Sequence, residues 1–265
     1  MLRDILVHIE STSDNSVAEF AARLAEKHGA RLTGLSLLPP TPSYYEVSGM
    51  VSAPAFDEQA LAAEARAIFD NAIRNVDIRT EWRESNGPAI RDLTLHARFA
   101  DLTILAHRDT NSWFQGLANQ FLLNSGHAAI LVPNGWTGSE TASRATVGWN
   151  ATLESARALH HALPLLEKAE FVKVVMVAET AMANDASDAG LDITGHLGAH
   201  GIDAELCYAE ICDDAGQSLL DRAAEDDCDL LVMGVYGRSR LSEFIYGGAS
   251  RTVLNETSIP VLMAH

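Results

Sequence analysis

Positive charge is what this chain has least of. Its 19 Lys and Arg stand against 36 Asp and Glu, a formal net charge of −17 over 265 residues. Such a field repels a phosphate backbone or an anionic membrane, so no nucleic acid and no membrane is expected as a partner. A local pair of arginines can still hold one small anion, because net charge does not fix the field inside a cleft. Cysteine is also scarce. Cys207, Cys212 and Cys228 make an odd number, which excludes a disulfide scaffold and fits reduced thiols in a cytoplasmic protein. Aromatic residues reach only 6%, but an apolar content of 47% suits an ordinary packed core and excludes wholesale disorder. No apolar run is long enough to span a bilayer, and the opening residues show no apolar h-region or cleavage site, so a cytoplasmic chain is expected. There is no Gly-x-Ser-x-Gly elbow, no Walker A lysine motif and no His-Glu-x-x-His, and no Ser-Gly-Gly loop follows a first strand. No catalytic base can be nominated, and the chain is not expected to be an enzyme.

What is present is alternation. Ile5–Ile9 reads as a buried strand, followed by the capping candidates Ser13, Asp14 and Asn15 and an apolar stripe at Val17, Phe20, Ala21, Leu24 and Ala25 that Gly29 ends. Strands are expected at Leu32–Leu38, Ile78–Trp82, Leu102–Ala106 and Ala129–Val132, with helices over Asp57–Asn75, Ala89–Phe99 and Phe114–Leu123. The stretch Pro39–Pro54, with Tyr44 and Tyr45, cannot be regular structure and reads as an exposed loop. Asn134–Ser143, rich in Gly, Ser and Thr, reads as a linker. Then the pattern restarts, with strands at Thr146–Trp149, Phe171–Val177, Ala204–Tyr208, Leu230–Met233 and Val261–Met263. Between them helices are expected over Leu153–Glu167, Ala186–Ala199, Gln217–Asp226 and Ala249–Asn255.

The halves match in detail. Asp101-Leu-Thr-Ile-Leu-Ala106 answers Asp229-Leu-Leu-Val-Met-Gly234, and Ala129-Ile-Leu-Val132 answers Pro260-Val-Leu-Met263. A repeat of this length is a whole domain duplicated, with expected domains at 1–138 and 144–265. Strands alternating with helices imply an α/β fold: two tandem doubly wound domains, each a parallel sheet with helices on both faces. Ligands of such sheets sit beyond the carboxyl ends of the strands, where strand order reverses.

The stretch Leu230–Leu254 fits such a place. An apolar strand ends in Met233 and breaks into a loop carrying Gly234, Gly237, Gly247 and Gly248 before a helix opens at Ala249. Glycine lets a backbone approach an anion, and a helix start offers unpaired N–H donors. Ser250 in the first turn can add a hydroxyl. Arg238 and Arg240 can neutralise phosphate charge, or else are simply solvated.

Gly234-Val-Tyr-Gly237 and Gly247 match the G-x2-G-x9-G spacing of a nucleotide signature, and the whole chain resembles the universal stress protein family in its tandem two-domain form. Two departures stand out: Gly248 occupies the place of a Ser or Thr, and Asn150 that of an Asp after the first strand. The resemblance implies a five-stranded sheet per domain in the order 3-2-1-4-5. It also implies intramolecular pairing of the two domains, and a cytoplasmic role in stress survival. Its cofactor would be ATP, ADP or AMP, with or without Mg, held by the second domain. Gly148 would leave room for the ribose, and Val177 and Met233 would border the adenine or merely pack the core. The first domain does not repeat the site: Ala106 stands for Gly234, Asp109 for Gly237 and Glu10 for Asn150, with Asn124-Ser-Gly126 the remnant of a closing glycine feature.

The expected function is a nucleotide-responsive regulatory module. A ligand-free interaction protein, or slow ATP hydrolysis or autophosphorylation at Ser239, Ser242 or Ser250, remain as alternatives, and association into a homodimer stays open. His196 and His200 are four apart on an expected helix, a spacing two metal ligands can use. No third ligand is visible in the sequence, so a solvated face and no metal are expected. His160-His161 reads as an ordinary helix pair.

Overall fold

A computed structural model describes residues 1–39, 57–107, 114, 116–178, 193–210, 214–235 and 248–265. The first half runs β1 (Asp4–His8), α1 (Ser16–His28), β2 (Arg31–Leu37), α2 (Glu58–Ala72), β3 (Thr80–Ser85), α3 (Ala89–Ala97), β4 (Leu102–His107), α4 (Leu117–Asn124) and β5 (Ala129–Pro133). The second runs β6 (Arg144–Gly148), α5 (Leu153–Leu166), β7 (Phe171–Ala178), α6 (193–199), β8 (Ala204–Glu210), α7 (Ala215–Glu225), β9 (Leu230–Gly234), α8 (Gly248–Glu256) and β10 (Val261–Ala264). The expected loop at Pro39–Pro54 lies, apart from Pro39, outside the described residues, as does the first part of the helix expected over Ala186–Ala199.

Local chemistry sets the element ends. Helix α1 buries Val17, Phe20, Ala21 and Leu24, and stops where Gly29 turns left-handed at φ 61°, its N–H returning to the carbonyls of Ala25 and Glu26. The Asp57 carboxylate accepts the amides of Gln59 and Ala60 and so starts α2. Thr152 and Ser155 form a reciprocal capping box at the head of α5, and the Asp214 carboxylate accepts the amides of Gly216 and Gln217 at the head of α7.

The strands form one continuous ten-stranded sheet in the order β3-β2-β1-β4-β5-β10-β9-β6-β7-β8. Each half keeps the 3-2-1-4-5 order and is parallel throughout. The halves meet where β5 and β10 pair antiparallel, Val261 against Leu131, Leu262 against Ile130 and Met263 against Ala129. All six residues are buried. The two apolar cores, one on each face of the sheet, both contain residues of both halves: Ile130 packs in the same cluster as Leu262, and Leu131 in the same cluster as Met263. Since the seam is antiparallel, the carboxyl ends of the strands face opposite edges of the sheet in the two halves. Any cleft at one half's switch point is therefore remote from its counterpart.

The linker is bound rather than loose. Trp136 is buried, with its ring edge-on to Phe20 at 5.2 Å. The Arg23 guanidinium lies over the indole at 5.6 Å and donates to the Gly138 carbonyl at 2.6 Å. Lys27 donates to the carbonyls of Thr141 and Ala142 and to the Ser143 hydroxyl. Asp229, just ahead of β9, accepts the amides of Ser143 and Arg144 at 2.9 Å.

Shortening a side chain at the seam tests whether both halves depend on it. Leu262→Ala should cost about 2–5 kcal/mol of unfolding free energy, as for a large-to-small change in a closed core. Denaturant unfolding followed by tryptophan fluorescence and circular dichroism should still give coincident transitions, because both core layers cross the seam.

Candidate functional site

The second half has a cleft of about 240 Å³ at the carboxyl ends of β6, β7 and β9. It lies where the chain turns from the β6-β7-β8 side of the sheet to β9 on the other, the switch point at which doubly wound sheets take ligands. Its apolar wall is made by Trp149, Val175, Val177, Leu219 and Met233. Its polar rim is made by helix starts: Thr152 and Ser155 of α5, Ala215 of α7, and Gly248, Ala249 and Ser250 of α8. The heads of three helices thus stand around one hollow; the Ser155 amide of α5 and the Gly216 and Gln217 amides of α7 are already taken by the Thr152 and Asp214 side chains, and α8 opens at Gly248.

Of the residues singled out in the sequence, Gly148, Asn150, Val177, Met233, Gly234, Gly248, Ala249 and Ser250 all line this cleft. Gly237, Arg238 and Gly247 lie outside the described residues. The glycines are not equivalent. A Cβ at Gly234 would stand 2.5 Å from the backbone of Glu154 and Ser155, so this glycine is needed for β9 to pack against the head of α5. A Cβ at Gly148 would meet the Leu219 methyls at 2.9 and 3.2 Å, so the missing side chain makes room for Leu219 rather than directly for a ribose. Gly248 differs from both. Among the described residues nothing lies within 4 Å of a Cβ built there, and its φ is not positive. No packing among the described residues demands glycine at 248.

Asn150 is already partly engaged. Its side-chain carbonyl accepts the Thr152 hydroxyl at 2.8 Å and the Thr152 amide at 3.3 Å, fixing the entry to α5. Sequence reasoning missed Trp149, Thr152, Ser155, Val175, Ala215 and Leu219 as lining residues, although Thr152-x-x-Ser155 is a legible capping signal. It also missed Asp214. This carboxylate accepts the Gly216 amide at 2.6 Å, the Gln217 amide at 3.0 Å and the Thr252 hydroxyl of α8, and so ties two helix heads together. Burial works to raise its pKa, but the Thr252 hydroxyl and the two amides outweigh it and hold the carboxyl below the usual range. Gly216 completes the junction, since a Cβ there would collide with the Ala249 backbone.

The corresponding place in the first half is lined differently among the described residues. His8 stands at the position of Gly148, because Ile5 pairs with Leu102 as Ala145 pairs with Leu230. Its ring is buried, edge-on to Phe114 with centroids 6.0 Å apart, and its Nδ1 is 4.0 Å from the Glu10 carboxylate. An imidazole thus stands where the second half has a glycine packed under Leu219.

The profile of the universal stress protein family matches residues 1–130 and again residues 142–265. The chain belongs to the universal stress protein family. Among solved structures, a universal stress protein from Archaeoglobus fulgidus DSM 4304 aligns over 98% of this chain and 97% of its own, at 15% identity and a TM-score of 0.73. A putative universal stress protein from Pseudomonas aeruginosa UCBPP-PA14 aligns over 99% and 93%, at 16% identity and a TM-score of 0.59. A universal stress protein from Archaeoglobus fulgidus solved in complex with dAMP covers 49% of this chain and 96% of its own, at 18% identity and a TM-score of 0.38. At these identities the likeness is one of fold. No curated protein matches the chain. None of the described helices is long and apolar enough to cross a membrane.

Two outcomes follow from this geometry. Gly234→Val should cost about 1–3 kcal/mol, read by denaturant unfolding, because the new side chain must displace the backbone at Glu154–Ser155. Burial pushes the His8 pKa down from 6.5 to about 4. The unfolded chain therefore takes up a proton at His8 below about pH 6.5, while the folded chain resists until about pH 4. The contribution, at most about 3 kcal/mol, is whole above that window and lost as pH falls through it. Stability measured from neutral pH downward should fall less steeply in His8→Leu.

Proposed function

We propose that the second half binds an adenine nucleotide (ATP, ADP or AMP, with or without Mg) and that its occupancy sets how this two-domain protein presents itself to partners. The setting would be the cytoplasm and the task stress survival. The observation that carries the reading is Gly248. It opens α8 at the rim of a preformed hollow, and nothing described in the fold requires it to lack a side chain, whereas an approaching phosphate would. The apolar wall of Trp149, Val177, Leu219 and Met233 suits the face of a base. The head of α8 at Gly248 suits the phosphates, and the side-chain amide of Asn150 suits a ribose or base acceptor. Gly237, Gly247 and Arg238 would complete the phosphate side.

The reading is of a binder, with slow ATP hydrolysis or autophosphorylation as the alternative. The first half is read as a scaffold, since His8 stands where the second half has Gly148.

Ligand that binds only the folded state raises its stability in proportion to RT ln(1 + [L]/Kd). Millimolar Mg-ATP or AMP should raise the melting temperature of the wild-type chain. Gly248→Val should melt as the wild type does without ligand and lose the shift with it. A melting curve that ignores every adenine nucleotide would sink the proposal, and would favour a ligand-free interaction protein. Mass spectrometry of material released on heating the purified protein gives an independent reading.

A further inference from the structure

The first half carries a groove that the cleft does not use. Helices α3 and α4 lie side by side, with Leu93 and Ala97 of one and Leu117, Phe121 and Leu122 of the other buried in the same core layer. Between their outer faces runs an open groove of about 360 Å³. Its lining includes Ile90, Arg91, Leu95 and Arg98 of α3 and Gln120 and Asn124 of α4.

The groove is apolar. Six large apolar side chains stand exposed among the described residues, and three of them are here: Leu95 at 39%, Phe99 at 77% and Leu123 at 49%. Phe99 follows Arg98 at the end of α3, and Leu123 precedes Asn124. Exposed apolar residues gathered in one place mark an interaction surface, whereas single ones do not. The groove is also basic, on a chain of net charge −17. Asp92 is the only carboxylate in either helix, and it accepts the Ser85 hydroxyl. Arg91 and Arg98 are exposed, and neither has an ion-pair partner among the described residues. Arg23, Arg31, Arg66, Arg83 and Arg222, by contrast, each face a carboxylate.

The spacing of these groups indicates what covers them. Arg91, Leu95 and Arg98 stand at i, i+4 and i+7, so an apolar side chain lies between two cations on one helix face. At 1.5 Å of rise per residue the cations are about 10 Å apart along the axis. Two carboxylates two turns apart on an incoming helix have the same separation, with room for an apolar residue between them. Two copies of this face brought together on a two-fold axis would instead set arginine against arginine. A nucleic acid or an anionic membrane is repelled by the field of the whole chain.

We propose that the α3–α4 groove docks an acidic amphipathic helix of another protein, its apolar stripe against Leu95, Phe99 and Leu123 and its carboxylates on Arg91 and Arg98. Docking of this kind takes its affinity from the apolar stripe and its register from the charges. The groove lies on the first half, so the site stands whether or not the second half binds nucleotide.

The test uses the full chain and a fluorescein-labelled synthetic peptide of about five helical turns, with leucine at every third or fourth position and glutamate flanking that stripe. Fluorescence anisotropy should show saturable one-to-one binding that weakens with added salt. The same peptide with lysine in place of each glutamate should not bind. Arg91→Glu combined with Arg98→Glu should weaken the glutamate peptide by about tenfold or more and take up the lysine peptide instead, a reversal that damage to the fold cannot produce. Leu95→Asp should weaken the glutamate peptide by a similar factor. Arg79→Glu, the same change of charge on an exposed arginine outside the groove, should leave its affinity unchanged. All these variants alter exposed side chains, and circular dichroism with melting curves establishes that each is folded. Failure of the glutamate peptide to bind the wild type, or binding that survives Arg91→Glu with Arg98→Glu, would overturn the site. So would a concentration-dependent dimer, seen by sedimentation, that Leu95→Asp abolishes, since a second copy would then occupy the groove.

Discussion

The antiparallel pairing of β5 with β10 is the constraint to which everything else in this chain answers. Each half alone would end in a strand that is apolar on both faces, Ala129-Ile-Leu-Val132 in one and Val261-Leu-Met263 in the other. Left unpaired, such an edge is an invitation to non-specific association. Pairing them satisfies the backbone groups and closes two cores at once, because both side-chain layers continue across the seam. Three register pairs are enough to decide where every other element stands.

The same pairing explains how the two halves can diverge. A seam needs only the last strand of each domain and the helices that cover it, and it places no demand on the carboxyl ends of the first strands. The residues there can therefore differ, His8 in the first half and Gly148, packed against Leu219, in the second. The linker follows the seam as well. Arg23 and Lys27 of α1 hold residues 136–143 against the first half, and Asp229 catches the amides of Ser143 and Arg144 at the second. Two domains with a bound linker and a shared core behave mechanically as one body.

Much of this was legible in the residues, for physical reasons that differ by element. Buried parallel strands such as Ile5–His8 and Leu230–Met233 announce themselves because both faces are apolar. Helix α1 was bounded correctly because Gly29 is a conformational requirement and not a preference. Strand β3 was misplaced: Ile78–Trp82 was expected and Thr80–Ser85 is found, because a sheet-edge strand that is half exposed carries no continuous apolar run. At the candidate site the sequence supplied most of the lining but not the reason for each residue. That Gly234 accommodates the α5 backbone, Gly148 accommodates Leu219 and Gly248 accommodates nothing described is a matter of Cβ geometry, which spacing cannot express. Trp149 and Leu219 read as ordinary core residues until three helix heads are seen around them.

Helix α8 is where the seam and the cleft come into mechanical contact. It starts at the cleft with Gly248, is held one turn in by the Thr252 hydroxyl on Asp214, and near its end offers the Leu254 carbonyl to the His107 ring of the first half. A helix fixed at its head to α7 and near its tail to the other domain cannot drift toward a ligand. Its amides are already in place before anything arrives, and the entropy of ordering them has been met by folding. By the same rigidity, a ligand that did displace the head of α8 would strain the Asp214 junction and the His107 contact together. Whatever the cleft holds must fit the hollow as it stands, or else be felt on the far side of the seam.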